Sequence, residues 1–468
     1  MACSRERWWP TVRGLDGFQD GLIALDQVGQ NVIVGQRGAV SGVVGGSSSS
    51  DKDGVGDDSL ELGSRTEHAL YLGAHALGHP SEVSDVIVVQ SSRTTVPRVE
   101  RRGGEGTMPS VDVVVLAYGA ERWLGACLDA ALGSVGVTVQ VILVDNGCPE
   151  AQAAAARDER VLLLSPGRNT GYAGGCVLGA AAGTAPTVVF VNSDAVVEPT
   201  ALRVMIEALQ EDSIGLVTGC VLLGEADGDR AVRSDDGAPL VNAAGNPVHW
   251  LGWSWAGGFR DPVVLHQQRC DVASASGALC GLRREVWDAV GGFDPVYFAY
   301  HEDVDLSWRV WCSGRRVVYL PESRCLHHYE FSRHPVKLEL LERNRLLTVL
   351  TVYQWRTLAR IGPALLLTEA GSVLLAFLNG WGLAKVRGLS WLLQHPAEIR
   401  RRRQWVDRIR AVPDSAWSSQ LNNTLDLPPE APGKVLRPVG ALLQSYGRLA
   451  RLGPVHPTAT RQDTAPAP

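Results

Sequence analysis

The chain has 468 residues, more than one ordinary domain contains and enough for two or three domains that each bury a core. It is 45% hydrophobic and 20% charged, which argues against whole-chain disorder and against a polytopic membrane protein. The net charge of -6 argues against a general nucleic-acid binder. The 9 cysteines are scattered without any C-x-x-C pair, a pattern typical of reduced thiols in a cytoplasmic protein.

Residues 1–107 show no sustained helical or strand period and include a tract of glycine, serine and aspartate at 45–51. We predict that they are mostly disordered. Arg5 and Arg7 near the start are followed by no apolar run, so a signal peptide is not indicated. Met108 stands immediately before the first strand pattern, which suggests that the working protein begins there and that 1–107 is an upstream extension.

From residue 111 onwards, short apolar runs alternate with helical patterns, which predicts an α/β fold with a mainly parallel sheet. The predicted strands are 111–116, 139–144, 160–164 and 187–191. The predicted helices are 121–132, Gly171–Ala182, 283–290 and Glu302–Cys312, and the intervening part from about 215 to 330 is less regular.

Three acidic points follow in chain order: Asp145 after one strand, Asp194 after another, and the carboxylates of 302–305 at the start of a helix. Each alone has a structural interpretation as a turn former or as a helix-start acid. Ligands of parallel α/β sheets bind beyond the carboxyl ends of the strands, however, and Tyr118, Asp145 and 192–194 all fall at such ends.

Between residue 111 and about 329, an ordered set of motifs resembles the family 2 glycosyltransferases, which have the GT-A (nucleotide-diphospho-sugar transferase, Rossmann-like) fold. The motifs are VVLAY at 114–118, VDNG at 144–147, RNTGYAGG at 168–175, NSD at 192–194, SGA at 276–278, RRE at 283–285, GGFD at 291–294, HEDVDL at 301–306 and HH at 327–328. The resemblance implies a catalytic domain at 108–332 that transfers a sugar from a nucleotide-diphosphate donor.

For the donor side, the resemblance implies that the nucleotide lies against a set of strand-end and loop residues. These are Ala117, Tyr118, Asp145, Arg168, Gly171, Asn192 and Ser193. It also implies a divalent cation, Mg²⁺ or Mn²⁺, that offsets the charge growing on the departing diphosphate. Asp194 is the main expected metal ligand, with His327 or His328 as a second, and Asn192 replaces the first aspartate of the usual Asp-x-Asp.

For the acceptor side, an inverting transfer needs a base that removes the proton of the attacking hydroxyl. By resemblance Asp303 is that base, with Glu302 as the alternative, and Asp305 is expected to orient the acceptor. Trp253, in the tryptophan-rich stretch at 249–255, is expected to stack on a sugar, although strand packing is an alternative for such side chains.

The segment 333–411 carries 14 Lys and Arg against 5 Asp and Glu on an otherwise acidic chain. Its apolar stretch 361–384 is long enough to cross a bilayer but contains Glu369 and Pro363, and the stronger positive flank is C-terminal. A single span would place the catalytic part away from cytosolic donors. Helices in the membrane interface, or a re-entrant hairpin, would keep the catalytic part on the cytosolic side, with the arginines on anionic lipid. The alternative is a buried helical subdomain. The tail at 412–468 is expected to be mostly irregular.

Together these features predict an inverting glycosyltransferase at the cytoplasmic face of the cell membrane. The acceptor would be a lipid-linked or cell-envelope glycan, and similar sequences suggest a rhamnosyl- or galactofuranosyl-type donor. The alternative is a catalytically weak membrane partner that binds nucleotide without turnover, an interpretation motivated by Asn192.

Overall fold

We describe the protein from a computed structural model. It describes residues 108–225, 227–328, 336–424, 433–450 and 452, together with the backbone of Ile87–Val89. Apart from Ile87–Val89, the predicted extension 1–107 therefore lies outside the described residues, as do 425–432, 451 and 453–468 of the C-terminal tail. The expectation that this tail is mostly irregular needs a correction, because Gly433–Leu449 forms a helix.

Eleven strands form one mixed sheet in the described part of the chain. They are β1 (Ile87–Val89), β2 (Ser110–Ala117), β3 (Thr138–Asp145), β4 (Val161–Ser165), β5 (Thr187–Asn192), β6 (Ala195–Val197), β7 (Ile214–Leu223), β8 (Val241–Ala244), β9 (Cys270–Asp271), β10 (Leu279–Arg283) and β11 (Arg316–His327).

The helices follow the strands in alternation and then continue alone. They are α1 (Leu124–Leu132), α2 (Ala151–Ala155), α3 (Gly171–Ala182), α4 (Ala201–Ala208), α5 (Arg284–Val290), α6 (Glu302–Cys312), α7 (Lys337–Val352), α8 (Trp355–Leu378), α9 (Gly382–Gln394), α10 (Pro396–Ile409) and α11 (Gly433–Leu449). The predicted α/β pattern is confirmed, and the predicted strands agree with the observed ones to within a residue or so at each end.

The main path of the sheet runs β1-β4-β3-β2-β5-β10-β7-β11-β6. β2, β3, β4 and β5 are mutually parallel, as their continuous apolar runs predict. β10 is antiparallel to both β5 and β7, whereas β11 is parallel to β7. As a consequence, the carboxyl ends of β2, β3, β5 and β11 and the amino end of β10 share one edge of the sheet.

Apolar side chains cover both faces of the central strands. Val113 and Val115 of β2 point into one core cluster, whereas Val114 and Leu116 point into the other, as expected for a strand buried on both faces. The eight cysteines in the described part are all unpaired, in agreement with the reduced thiols expected from their scatter.

The N-terminal expectation needs one correction. Within the segment predicted to be disordered, Ile87–Val89 forms a strand that pairs antiparallel with Leu163–Ser165 of β4. The edge of a parallel sheet offers unpaired backbone groups, and three residues are enough to occupy them.

The C-terminal helices share a core with the α/β part. One cluster of buried side chains extends from Val114 of β2 to Val406 of α10 and Leu421. The buried faces of α7 and α8 account for much of this packing. The helical segment and the α/β part are therefore packed around one common core.

Four of the basic residues of this segment are buried. Lys385 and Arg345 form a buried group with Glu342 and Glu369, each cation contacting both carboxylates. Arg402 and Arg403 of α10 are also buried, and Arg402 pairs with Asp294 and Asp305. The expectation that this arginine run lies on lipid is wrong for these two members, because they are buried in the helix packing, where Arg403 donates to the Leu350 carbonyl.

Candidate functional site

Several of the predicted site residues lie at the shared edge of the sheet. Ala117 stands opposite Asp145 in the β2–β3 ladder, and Leu116 stands opposite Asn192 in the β2–β5 ladder. The Asn192 N–H donates to the carbonyl of Ala278, just before β10. Backbone pairing therefore brings the ends of four motifs side by side: VVLAY, VDNG, NSD and SGA.

The turn after β3 is built by its own polar side chains. Oδ1 of Asp145 accepts the N–H groups of Gly147 (3.0 Å) and Cys148 (2.9 Å), whereas Oδ2 faces the Ser165 hydroxyl at 3.4 Å. The exposed ring of Tyr118 lies over Gly147. Asp145 thus holds its turn with one oxygen and contacts the end of β4 with the other, and its role as a nucleotide contact stays a prediction.

Asn146, which the sequence analysis left aside, links this turn to the glycine-rich helix. Its amide nitrogen donates to Asn169 Oδ1 (2.7 Å), and its oxygen accepts the Thr170 N–H (2.7 Å). Asn169 in turn accepts the Gly171 N–H at 2.9 Å. These bonds fix the start of α3 against the end of β3. The sequence signal for this link was the asparagine in each of two motifs, Asn146 in VDNG and Asn169 in RNTG.

Asp194 and His327 form the centre of the predicted metal position. Nε2 of His327 lies 3.1 Å from Oδ1 of Asp194 and 3.2 Å from the amide nitrogen of Asn192. Nδ1 of the same ring lies 3.1 Å from Oδ1 of Asn242. All of these side chains are largely shielded from solvent, with Asp194 9% exposed.

His328, the other histidine candidate, points elsewhere. Its ring stacks on Trp123 with the centroids 3.5 Å apart, and Nδ1 faces the carbonyl of Glu225 at 3.0 Å. Its backbone N–H donates to the carbonyl of Asp194. Of the two histidines that the sequence offered as a second metal ligand, His327 therefore lies beside the Asp194 carboxylate and His328 does not.

The chemistry of this pair fits a divalent cation. When Nδ1–H donates to Asn242, Nε2 presents its lone pair on the side of the Asp194 carboxylate, the arrangement typical of a metal-binding histidine. The 3.1 Å between Nε2 and Oδ1 is an ordinary ion-pair distance and is also short enough for both atoms to bind one cation. The described residues contain no group of three or more His, Cys, Asp or Glu that could hold a metal by itself.

Asp303 lies at the start of α6 and turns towards the loop before β10. Oδ2 accepts the Gly277 N–H at 3.2 Å and the Asn246 amide at 3.3 Å, and Oδ1 accepts the N–H of Val304. Burial raises the pKa of Asp303, and these hydrogen bonds only partly oppose it. A carboxylate with a raised pKa, held by backbone at the sheet edge, has the properties of a general base.

Glu302 is the more deeply buried of the two adjacent carboxylates, at 7% exposure. Burial and the neighbouring charge of Asp303 raise the pKa of Glu302 well above its ordinary value. Oε2 of Glu302 and Oδ1 of Asn246 are buried without a hydrogen-bond partner. Unsatisfied buried oxygens around Asp303 are suited to a ligand that brings hydroxyl donors.

One expected acceptor contact is corrected by the packing. Asp305 is fully buried and pairs with Arg309 and Arg402, so it ties α6 to its neighbours and does not face an acceptor. Trp253 is half-buried, with the guanidinium of Arg345 4.8 Å from its ring centroid, and its stacking on a sugar stays a prediction. The helical spacing of 302–305 places Asp305 on the inner side of α6, since that side also carries Trp308.

Two expected donor residues have different surroundings. Arg168 is exposed in the loop before α3. Gly171 has φ +72°, and a Cβ there would lie 2.4 Å from the Phe298 carbonyl oxygen. Only glycine fits this close approach, so Gly171 has a packing role at the edge of the site whatever else it contacts.

Other polar residues join the site without an evident sequence signal. Buried Glu121 accepts the Ser193 hydroxyl at 3.2 Å and so braces the NSD motif. The Tyr172 hydroxyl donates to the Gly277 carbonyl at 2.8 Å, which ties α3 to the loop that holds Asp303. Asn242 and Asn246 come from an irregular stretch, and only the fold brings them to the strand ends.

The fold and this edge define an α/β protein with a ligand site at the carboxyl ends of its strands, flanked by carboxylates from three separate segments. The model of the family described as "Glycosyltransferase like family 2" matches residues 109–349, just over half of the chain. The chain belongs to glycosyltransferase family 2. The fold and family expected from the motifs are confirmed.

Among curated proteins, the chain is 31% identical over 207 residues to N-acetylglucosaminyl-diphospho-decaprenol L-rhamnosyltransferase of Mycobacterium tuberculosis, covering 41% of this chain and 66% of that protein. It is 28% identical over 231 residues to the O-antigen biosynthesis protein RfbC of Myxococcus xanthus, covering 48% of this chain and 18% of that one. The match thus spans slightly less than two thirds of the first relative.

Among solved structures, GalNAc-T7 with UDP, GalNAc and Mn²⁺ has a TM-score of 0.40 and 14% identity, covering 53% of this chain and 48% of the other. A score this low adds nothing to the argument from the family and the site.

Proposed function

We propose that the protein is an inverting glycosyltransferase that moves a sugar from a nucleotide-diphosphate donor to a lipid-linked or cell-envelope glycan acceptor. The observation that carries the proposal is the convergence of Asp145, the Asp194–His327 pair and Asp303 at one edge of the sheet. The names of the relatives support the acceptor class, since one acts on a diphospho-decaprenol-linked sugar and another serves O-antigen biosynthesis.

In this reaction, the acceptor hydroxyl attacks the anomeric carbon of the donor sugar. A new carbon–oxygen bond forms, the bond from that carbon to the diphosphate oxygen breaks, and the electron pair leaves with the diphosphate. Asp303 receives the hydroxyl proton, for which its raised pKa suits it. Glu302 remains the alternative base. Asp145 and Tyr118 line the nucleotide end, with Ala117, Arg168, Gly171, Asn192 and Ser193 as further proposed donor contacts.

We propose a divalent cation, Mg²⁺ or Mn²⁺, at Asp194 and His327. When bound, such an ion stabilises the negative charge that grows on the departing diphosphate. Asn242 orients the His327 ring, and Asn192 supplies a neutral amide where a second carboxylate would raise affinity. With two protein ligands, much of the coordination would come from the diphosphate oxygens and water, so ion and donor are expected to bind together.

We also propose that the helical hairpin of α8 and α9 lies on the cytoplasmic membrane surface. Among the described residues, α8 is the one helix long and apolar enough to cross a membrane, and 22% of its most apolar window is buried. Its outer face and the turn to α9 expose large apolar side chains: Leu366, Leu367, Leu374, Phe377, Leu378 and Leu383. Glu369 and Lys385 tie both helices back to α7, which favours an interfacial or re-entrant hairpin over a single span.

The test is a transfer assay on the full chain with a panel of nucleotide-diphosphate sugars, a polyprenyl-diphosphate-linked acceptor and Mn²⁺. We expect release of the nucleoside diphosphate with one donor, and we expect Asp303→Asn to lower kcat by about 10²–10⁴-fold while donor binding persists. Donor binding without transfer or donor hydrolysis in the unaltered protein would instead favour the nucleotide-binding partner suggested by Asn192. A fully active Asp303→Asn protein would remove Asp303 as the base.

A further inference from the structure

The backbone immediately before the two adjacent carboxylates is strained. Phe298, Tyr300 and His301 have φ values of +63°, +68° and +71°. Within the described residues, they account for three of the four non-glycine positions with positive φ. Bulky side chains rarely adopt this region, and such residues persist only where the surrounding structure fixes them. The question is which groups hold residues 298–301 in place.

Asn344 of α7 supplies the densest set of contacts to this turn. Its amide nitrogen lies 2.9 Å from the Tyr297 carbonyl oxygen, 2.9 Å from that of Ala299 and 2.7 Å from that of Tyr300. The side chain is fully buried. The two N–H groups of a single amide are thus shared among three carbonyls of one turn.

Arg343 fixes the orientation of that amide. Its Nε donates to Asn344 Oδ1 at 2.8 Å, so the Asn344 nitrogen must face the turn. Nη2 of Arg343 donates to the carbonyls of Val296 (2.8 Å) and Tyr297 (2.9 Å), and its guanidinium lies over the ring of Trp391. Arg343 and Asn344 therefore bind the backbone carbonyls of the turn from Val296 to Tyr300.

The opposite side of the turn rests on the donor-side helix. The Phe298 carbonyl accepts the Ala173 N–H of α3 at 3.0 Å, and the Phe298 ring packs on Gly171, where a Cβ would come within 2.6 Å. The turn is thus held between α3, which begins at the site, and α7, which comes from the basic C-terminal segment. Its next residues are Glu302 and Asp303.

We propose that Asn344 is a positioning residue for sugar transfer, because its amide holds the left-handed turn that sets Glu302 and Asp303 at the sheet edge. This inference rests on the proposed function of those carboxylates. Asn344 contacts neither of them and acts only through the backbone of 297–300. A base displaced by an ångström loses its alignment with the acceptor hydroxyl, and such displacement costs about 100-fold in rate.

The test compares Asn344→Ala and Asn344→Asp with the control Thr351→Ala in the full chain. Thr351 is a buried polar residue two turns further along α7, and its hydroxyl donates only to the Leu347 carbonyl of its own helix. We expect both Asn344 variants to lose kcat by about 100-fold with donor KM little changed, and Thr351→Ala to keep kcat. We also expect the acidic limb of the kcat/KM pH profile to move to lower pH only in the Asn344 variants, since the carboxylates gain water.

Hydrogen exchange supplies a readout that does not require activity. The amides of 298–301 should exchange faster in Asn344→Ala than in Thr351→Ala, at matched thermal stability of the two variants. Unchanged exchange there, or a folded Asn344→Asp protein with full kcat, would overturn the positioning role. If the unaltered protein shows neither transfer nor donor hydrolysis, the proposed function fails, whereas the exchange result still decides whether Asn344 holds the turn.

Discussion

Replacing Arg402 should show how much more a buried ion pair contributes to the stability of this protein than an exposed one. Its fully buried guanidinium contacts the carboxylates of Asp294 and Asp305 and lies over the ring of Tyr297. Burial alone would raise the pKa of Asp294, but the charges of Arg402 and Arg401 outweigh it and lower that pKa. Arg402→Met would leave two buried carboxylates with less compensation, at a cost of about 3–5 kcal/mol.

The neighbouring Arg401 is a matched control. It contacts the same carboxylate oxygen of Asp294 at 3.0 Å, but 54% of its side chain is exposed. Replacing an exposed partner costs about 0–1 kcal/mol. With an unfolding entropy of about 2 cal/mol/K per residue, the melting temperature of a 468-residue chain falls by roughly 1–1.5 °C per kcal/mol, so Arg402→Met should melt about 3–7 °C lower and Arg401→Met about 1 °C lower or less. Scanning calorimetry at neutral pH provides the measurement. Equal losses for the two variants would refute the assignment of the energy to the buried pairs.

The remaining predictions concern pH, metal and membrane. Glu302 has a pKa above its ordinary 4.5 in the folded protein, so ionisation destabilises the fold progressively as pH rises above that value; Glu302→Gln should therefore gain thermal stability over the unaltered protein at alkaline pH, and a difference that does not grow with pH would contradict this. Asp194→Asn and His327→Ala should each raise the Mn²⁺ concentration needed for half-maximal transfer by at least about 10-fold, and His328→Ala should not; a chelator that leaves transfer intact would disprove the metal proposal. Leu378→Glu should weaken sedimentation with anionic vesicles by roughly 10-fold, because burial of one such side chain contributes about 1.5–3 kcal/mol, whereas Leu265→Glu, equally exposed on the α/β part, should bind as before.

Local pattern predicted the sheet well because its strands carry their own signal. Strands β2 to β5 are apolar on both faces, and turn residues follow β3 at VDNG, so length and composition alone distinguish them from helices. α3 and α6 were predicted with their observed limits. The irregular part between β7 and β11 was not resolved by pattern, since its strands are short and pair with partners far along the chain.

The sequence by itself determined the α/β class, the family and the order of the chemical groups, because strand composition and motif residues are local properties. Only the tertiary structure decided which polar groups meet. His327 lies beside Asp194 while the adjacent His328 stacks on Trp123, and Asp305 is enclosed by arginines while Asp303, two residues earlier, faces the site. These choices depend on which face of an element is buried against a distant segment, and neighbouring residues in a strand or helix point in different directions.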